Sequence, residues 1–214
     1  HPEVGAGNLE HGNASTTRPG GCARVNYEAI WLDDRSNVDF GFIVRGTSQR
    51  PGLPATVDRT LTIPGRHGQY DFGAELDIRR FVFDCAFMTR DALELQQRVV
   101  ELARFLTDSF GRPRTMKLRL RERPGQFFTV RWTGSFDVER IIGTGLFSLT
   151  FVAFDPFAYS DQERIHEDVI TTSPHEQVVE VAGNVRTAPV IVLTNEGAET
   201  ITYFRITNEY KLEG

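Results

Sequence analysis

The sequence predicts an α+β chain that is mostly β: an antiparallel, β-sandwich or split-barrel-like N-terminal domain with one packed amphipathic helix, followed by a short or incomplete β segment. Three observations carry this expectation. Leu76 to Met88 alternates with period two, placing Phe81, Phe83, Cys85 and Phe87 on one face and Arg80, Val82, Asp84 and Ala86 on the other. Only Thr89 to Leu106 has a helical period, with Ala92, Leu95, Val99, Leu102 and Leu106 at alternating steps of three and four. Strand signals lie on both sides of this helix, with short hairpin connections and no βαβ repetition, which favours antiparallel pairing.

Residues 1–23 lack periodicity and read as a flexible arm or extension. Arg24 to Asp33 and Val38 to Arg45 read as two strands around the polar turn DDRSN. The two prolines of Gln49 to Ala55 make that stretch a loop, and Val57 to Ile63 is the next strand. Pro64 and Gly65 then stop the run. Pro64 fixes φ, Gly65 supplies the φ > 0 of a type II turn, and Gly68 permits a second reversal, so Arg66 and His67 stand out on a stiff knuckle. Thr89 is the expected N-cap of the helix, Asp91 suits its positive end, and Gly111 and Pro113 prevent its continuation. Thr115 to Arg121, Gln126 to Thr133 and Leu146 to Ala153 are further strands, with Gly134 to Ile142 a weaker one. Pro156 cannot donate to a ladder, so the last strand ends at FDPFAY and the first domain, 24–160, ends with it. In the remainder, 161–214, Gln177 to Val181, Ala188 to Thr194 and Thr200 to Ile206 read as short strands divided by AGN and NEG turns.

Composition bounds the function. The 214 residues suffice for one full domain and a smaller one, and 16 Phe against 2 Met and 2 Trp make phenylalanine the main core mass. Residues 1–160 hold 20 basic and 19 acidic side chains, net +1, whereas 161–214 hold 4 and 10, net −6, and neither part has the basic surplus of a nonspecific nucleic-acid binder. Cys22 and Cys85 cannot staple a chain of this size, and Cys85 suits a buried apolar position, as expected of a protein folded in a reducing compartment. No apolar run reaches 18 residues, and no export signature opens the sequence, so membrane insertion is not expected.

The aromatic strand YEAIWL at Tyr27 to Leu32, IPGRHG at Ile63 to Gly68, one amphipathic helix, and FDPFAY at Phe154 to Tyr159 occur in an order that resembles the distal tail proteins of long-tailed siphophages. The resemblance covers Ala23 to Tyr159. It implies a structural virion protein, not an enzyme, forming a hexameric ring of itself between tail tube and tail tip. The implied partners are the tail tube protein, the tape-measure protein, a tail-associated tip or lysin protein, and receptor-binding proteins. The implied location is the tail tip of a virion whose parts are made in the host bacterial cytoplasm. In this family a galectin-like β-sandwich begins near position 161, and about fifty residues are too few for a sandwich of the usual ~100.

The residues themselves offer little chemistry. His1, His11, His67, His166 and His175 share no zinc spacing with each other or with the cysteines, and no phosphate loop or nucleophile elbow appears, so no metal, cofactor or catalytic residue is expected. Asp33/Asp34 and Glu167/Asp168 are adjacent acids in polar turns, without the convergence that acid–base pairs need. The Asn13 sequon counts for nothing without an export signal. Two interface candidates remain. Arg66 and His67 either decorate a surface hairpin, hold an anion, or dock between subunits. Lys117, Arg119 and Arg121, alternating with Met116, Leu118 and Leu120, make one strand face cationic; this face either keeps an edge strand soluble or meets acidic groups of a neighbouring subunit, with no specific nucleic-acid role. The alternatives to a ring protein are a tail tube subunit, a carbohydrate-binding module stacking sugars on Trp31, Trp132 or Tyr70, and a cell-wall hydrolase, against which the missing catalytic constellation speaks.

Overall fold

The computed structural model describes residues 27–209 except 90, 142, 143 and 182, so the expected N-terminal arm, Cys22, His1, His11, the Asn13 sequon and the start of the first strand lie outside the described residues. The chain divides into two compact units, His1–Ile165 and His166–Gly214.

The first unit is built on one nine-stranded, wholly antiparallel sheet curled into a half-barrel. Along it run β2 (Arg35–Ser36), β1 (Ile30–Leu32), β7 (Thr115–Leu120), β8 (Gln126–Thr133), β10 (Thr144–Ala153), β6 (Arg79–Phe87) and β3 (Phe42–Val44). Two short strands attach at the ends, β9 (Glu139–Ile141) to β10 and β11 (Tyr159–Ser160) to β8. The helix α1 (Ala92–Leu106) packs Leu95, Leu102 and Leu106 into the sheet's core, with Val99 and Phe105 half-buried beside them. The contact is close at Gly145 of β10, where a Cβ would stand 2.8 Å from a Leu95 methyl group and 3.0 Å from a Val138 methyl group, so a side chain there would force Leu95 to shift.

The period-two strand is β6, with Phe81, Phe83, Cys85 and Phe87 all buried, and it pairs over its whole length with β10. Phenylalanine dominates the core as composition implies: seven of the largest fully buried side chains are Phe, and Phe87 stacks on Phe147 at 4.6 Å between ring centres. Each such ring stabilises by about 1.5–3 kcal/mol relative to exposure.

Several expectations need correction. The helix is capped by Asp91, whose carboxylate accepts the Leu93 N–H at 2.9 Å, and not by Thr89, whose hydroxyl instead binds Glu94. Ala92 is exposed, and Phe105 serves the core instead, packing on Phe40 at 4.8 Å. The stretch from Leu76 to Met88 is two elements: Leu76 ends β5 (Tyr70–Leu76), which the sequence does not announce because Asp71 and Gly73 are poor strand formers, and β6 begins at Arg79. DDRSN is more than a turn, since Arg35–Ser36 pairs with β1 after a reversal at Asp33, where φ is +53°.

Beyond Ile165 no described residue belongs to a strand. Residues 177–181, 188–194 and 200–206 carry strand-like sequences, yet they lie outside any strand and are exposed, because strands need neighbours to satisfy their amides and cover their apolar faces. Local turn chemistry does persist: Asn195 accepts the Gly197 N–H at 3.0 Å and donates to the Glu199 carbonyl at 2.8 Å. His175 and Asp168 approach to 2.8 Å in the same unit.

Candidate functional site

The knuckle sits at the tip of a free-standing hairpin. Among the described residues β4 (Thr56–Leu61) and β5 pair only with each other, through a register that shifts between Asp58 and Thr60. At the tip the Arg66 N–H donates to the Ile63 carbonyl at 3.2 Å, with φ of +83° at Gly65, and Gly68 reverses the chain again at +82°. These are the two turns that Pro64, Gly65 and Gly68 dictate. Arg66 and His67 are both exposed, and the Arg66 guanidinium lies 3.8 Å over the Tyr70 ring.

No residue of either hairpin strand is buried. Val57, Leu61, Ile63, Tyr70, Phe72 and Leu76 are all exposed, Phe72 by 69%, and one cross-strand ion pair, Arg59 to Glu75 at 2.8 Å, adds little. An isolated two-stranded hairpin is marginally stable in water, and contiguous exposed apolar side chains mark interaction surfaces.

The cationic face lies on β7, which has β1 on one side and β8 on the other, so it does not protect an edge. Met116, Leu118 and Leu120 point into the core as their alternation requires. The three cations differ in their surroundings. Arg119 is held within the chain: its Nε is 2.9 Å from each Asp161 carboxylate oxygen, and its Nη1 donates to the Asp33 carbonyl. Lys117 rests its ammonium 4.4 Å over the Phe127 ring, and Arg121 lies 4.4 Å over Tyr27. Both remain exposed cations on aromatic platforms. Asp33 accepts the Lys117 N–H at 2.8 Å and pairs with Arg114, so this acid of the adjacent pair has a structural task.

A shallow groove of about 620 Å³ runs along α1, lined by Arg35, Gln97, Glu101, Arg104, Phe105 and Arg114. Arg35 pairs with Glu101 at 2.6 Å and covers Phe40 at 4.1 Å. Among the described residues no three His, Cys, Asp or Glu side chains converge as a metal site would need, and no helix is long and apolar enough to cross a membrane. Trp31 and Trp132 are half-buried, the latter with its indole N–H buried and without a partner among the described residues. They do not join Tyr70 in one exposed aromatic row.

Sequence reasoning missed Asn37 and Arg79. Asn37 is buried in the DDRSN segment, where polarity signals a loop, and Arg79 is buried at the start of β6, in a stretch whose alternation says nothing about an arginine at its end.

The search of curated proteins found no match. Among solved structures, the crystal structure of the Dit protein of phage SPP1, described as a paradigm of hub adsorption apparatus in phages infecting Gram-positive hosts, superposes with a TM-score of 0.53 at 17% identity. The match covers 63% of this chain and 52% of that one, so the chain spans about half the length of the structure it resembles. That likeness is one of fold. Residues 38–153 match the family model described as phage tail protein RIFT-related domain, which runs from the β2–β3 turn to the end of β10 and so includes the helix, the knuckle hairpin and most of the curled sheet. Family and fold together agree with the resemblance to siphophage distal tail proteins that the order of motifs carries: the chain belongs to the phage tail family of RIFT-related domains, structural components of the virion tail.

Proposed function

We propose that the chain forms a closed ring, hexameric by its resemblance to distal tail proteins, which joins the tail tube to the tip apparatus that adsorbs to the host. The observation that carries this reading is the free-standing hairpin, whose apolar side chains have no partner in the chain's own sheet. Seating the arm of each copy on the next is a heterologous contact, and such contacts close into rings when the rotation permits. The knuckle residues Arg66 and His67 sit at the tip of that arm, where a fork of N–H donors and an imidazole can reach carboxylates or carbonyls. Lys117 and Arg121 offer a second face to acidic groups of a neighbour, while Arg119 presents its strand already paired to Asp161. The function is geometric and involves no catalysis. The partners are the tail tube protein, the tape-measure protein and a tip or lysin protein. Residues 161–214, a partial or reduced C-terminal β domain, hold receptor-binding proteins.

Negative-stain images and sedimentation of the whole chain test this reading. A ring with a central hole is expected. Phe72→Asp, or Arg66→Ala with His67→Ala, should weaken assembly and leave the melting temperature of the monomer in place. If these variants assemble as the parent does at every concentration, the arm is not the contact.

A further inference from the structure

The root of the hairpin holds a cationic notch that no acid among the described residues neutralises. Arg79 opens β6 with 5% of its surface exposed, yet among the described residues its side chain makes one long hydrogen bond, 3.3 Å to the Gly52 carbonyl, and its Nε is buried without a partner. Arg123, in the β7–β8 turn, donates to the same carbonyl from 3.4 Å. Both guanidinium groups lean over the Phe128 ring, at 5.0 and 5.8 Å. No carboxylate among the described residues forms an ion pair with either. Glu122 is held by Arg50, and Asp77 accepts the Ile78 N–H at its own turn. Burial first, and then the Arg123 charge, lower the Arg79 pKa.

One peptide carbonyl is a poor partner for two guanidinium groups. A buried cation is stabilised by a carboxylate that satisfies its forked donors, and a second arginine beside it raises that need. The notch is formed where residues 49–55 feed β4 and where β5 returns to β6, so an arm seated on a neighbour brings this root against the same neighbour. With 29 acidic side chains, each copy has carboxylates to present there.

We propose that Arg79 and Arg123 form the receptor for one carboxylate side chain of a second copy of this chain. The inference rests on the ring reading and adds to it a polar lock at the base of the apolar arm. Sedimentation equilibrium of the whole chain tests it with Arg123→Gln, a half-exposed position that spares the buried Arg79. Loss of one charge-assisted contact should weaken association about tenfold. Sodium malonate, compared with chloride at equal ionic strength, should weaken association of the parent and raise its melting temperature, with neither effect in Arg123→Gln. Parent-like association of Arg123→Gln, or an equal malonate response in both proteins, overturns the receptor while leaving the ring intact. A parent that never associates overturns the ring and the second copy as the carboxylate's source, and an unchanged melt in malonate then overturns the receptor too.

Discussion

Asn37→Ala removes the most connected polar side chain in the core. The Asn37 carboxamide oxygen accepts the Ala29 N–H at 2.8 Å and the Ile30 N–H at 3.3 Å, while its NH₂ donates to the carbonyls of Phe42 at 2.9 Å and Tyr27 at 3.1 Å. One side chain thereby fastens β1 to the start of β3, two strands at opposite parts of the sheet order that share no ladder. Alanine leaves at least one N–H and one C=O buried without these partners, at about 1–3 kcal/mol each, so the loss should be about 2–6 kcal/mol. For a chain of this size that is a fall of about 2–4 °C in melting temperature per kcal/mol, or roughly 4–24 °C. Thermal and urea unfolding followed by circular dichroism measure it. Asn37→Asp gives the sign of the donor half: its carboxylate can still accept from the two amides but faces two carbonyls, which raises its folded pKa. The protonated form donates, so this variant should gain stability relative to the parent as pH falls toward that raised pKa. A loss below about 1 kcal/mol for Asn37→Ala, or no pH recovery for Asn37→Asp, would refute the clamp, since truncating a buried, well-bonded group cannot be that mild.

Leu102→Ala should cost about 2–5 kcal/mol, because Leu102 is fully buried between α1 and the sheet, whereas the half-buried Val99 should cost less as Val99→Ala; equal melts for both would move the stripe out of the core. Charge reversal at Arg121 should impair assembly in a salt-dependent way, and the parent should not shift duplex DNA in gels at physiological salt; submicromolar DNA binding lost on reversal would make this face a nucleic-acid surface. Cys85 is fully buried in β6, and desolvation pushes its thiol pKa far up, so peptide mapping should find it alkylated only after unfolding. Stability should also fall as pH drops through the depressed pKa of Asp84, which the hydroxyls of Thr47 and then Ser148 hold in its charged form, and this sensitivity should shrink in Ser148→Ala.

Much of the fold was legible in the sequence because the signals are local. Period two over Phe81, Phe83, Cys85 and Phe87 determines which face of β6 is buried, whatever it packs against. Pro64, Gly65 and Gly68 determine the knuckle through backbone sterics alone. The helix follows from its apolar stripe, although its cap does not: Thr89 and Asp91 are both good capping residues, and only the path of the chain leaving β6 selects Asp91. What the tertiary structure decided is non-local. β7 lies inside the sheet because β1 and β8 flank it from distant parts of the chain. Arg119 loses its freedom to Asp161, 42 residues away. β5 exists because β4 supplies its hydrogen bonds, while strand-like residues 188–194 stay unpaired because nothing in the described chain supplies theirs. A sequence pattern sets which face a segment can bury and where it can turn; whether a polar side chain is buried, paired or left exposed depends on groups brought beside it only by folding, as at Asn37, Arg79 and Arg123.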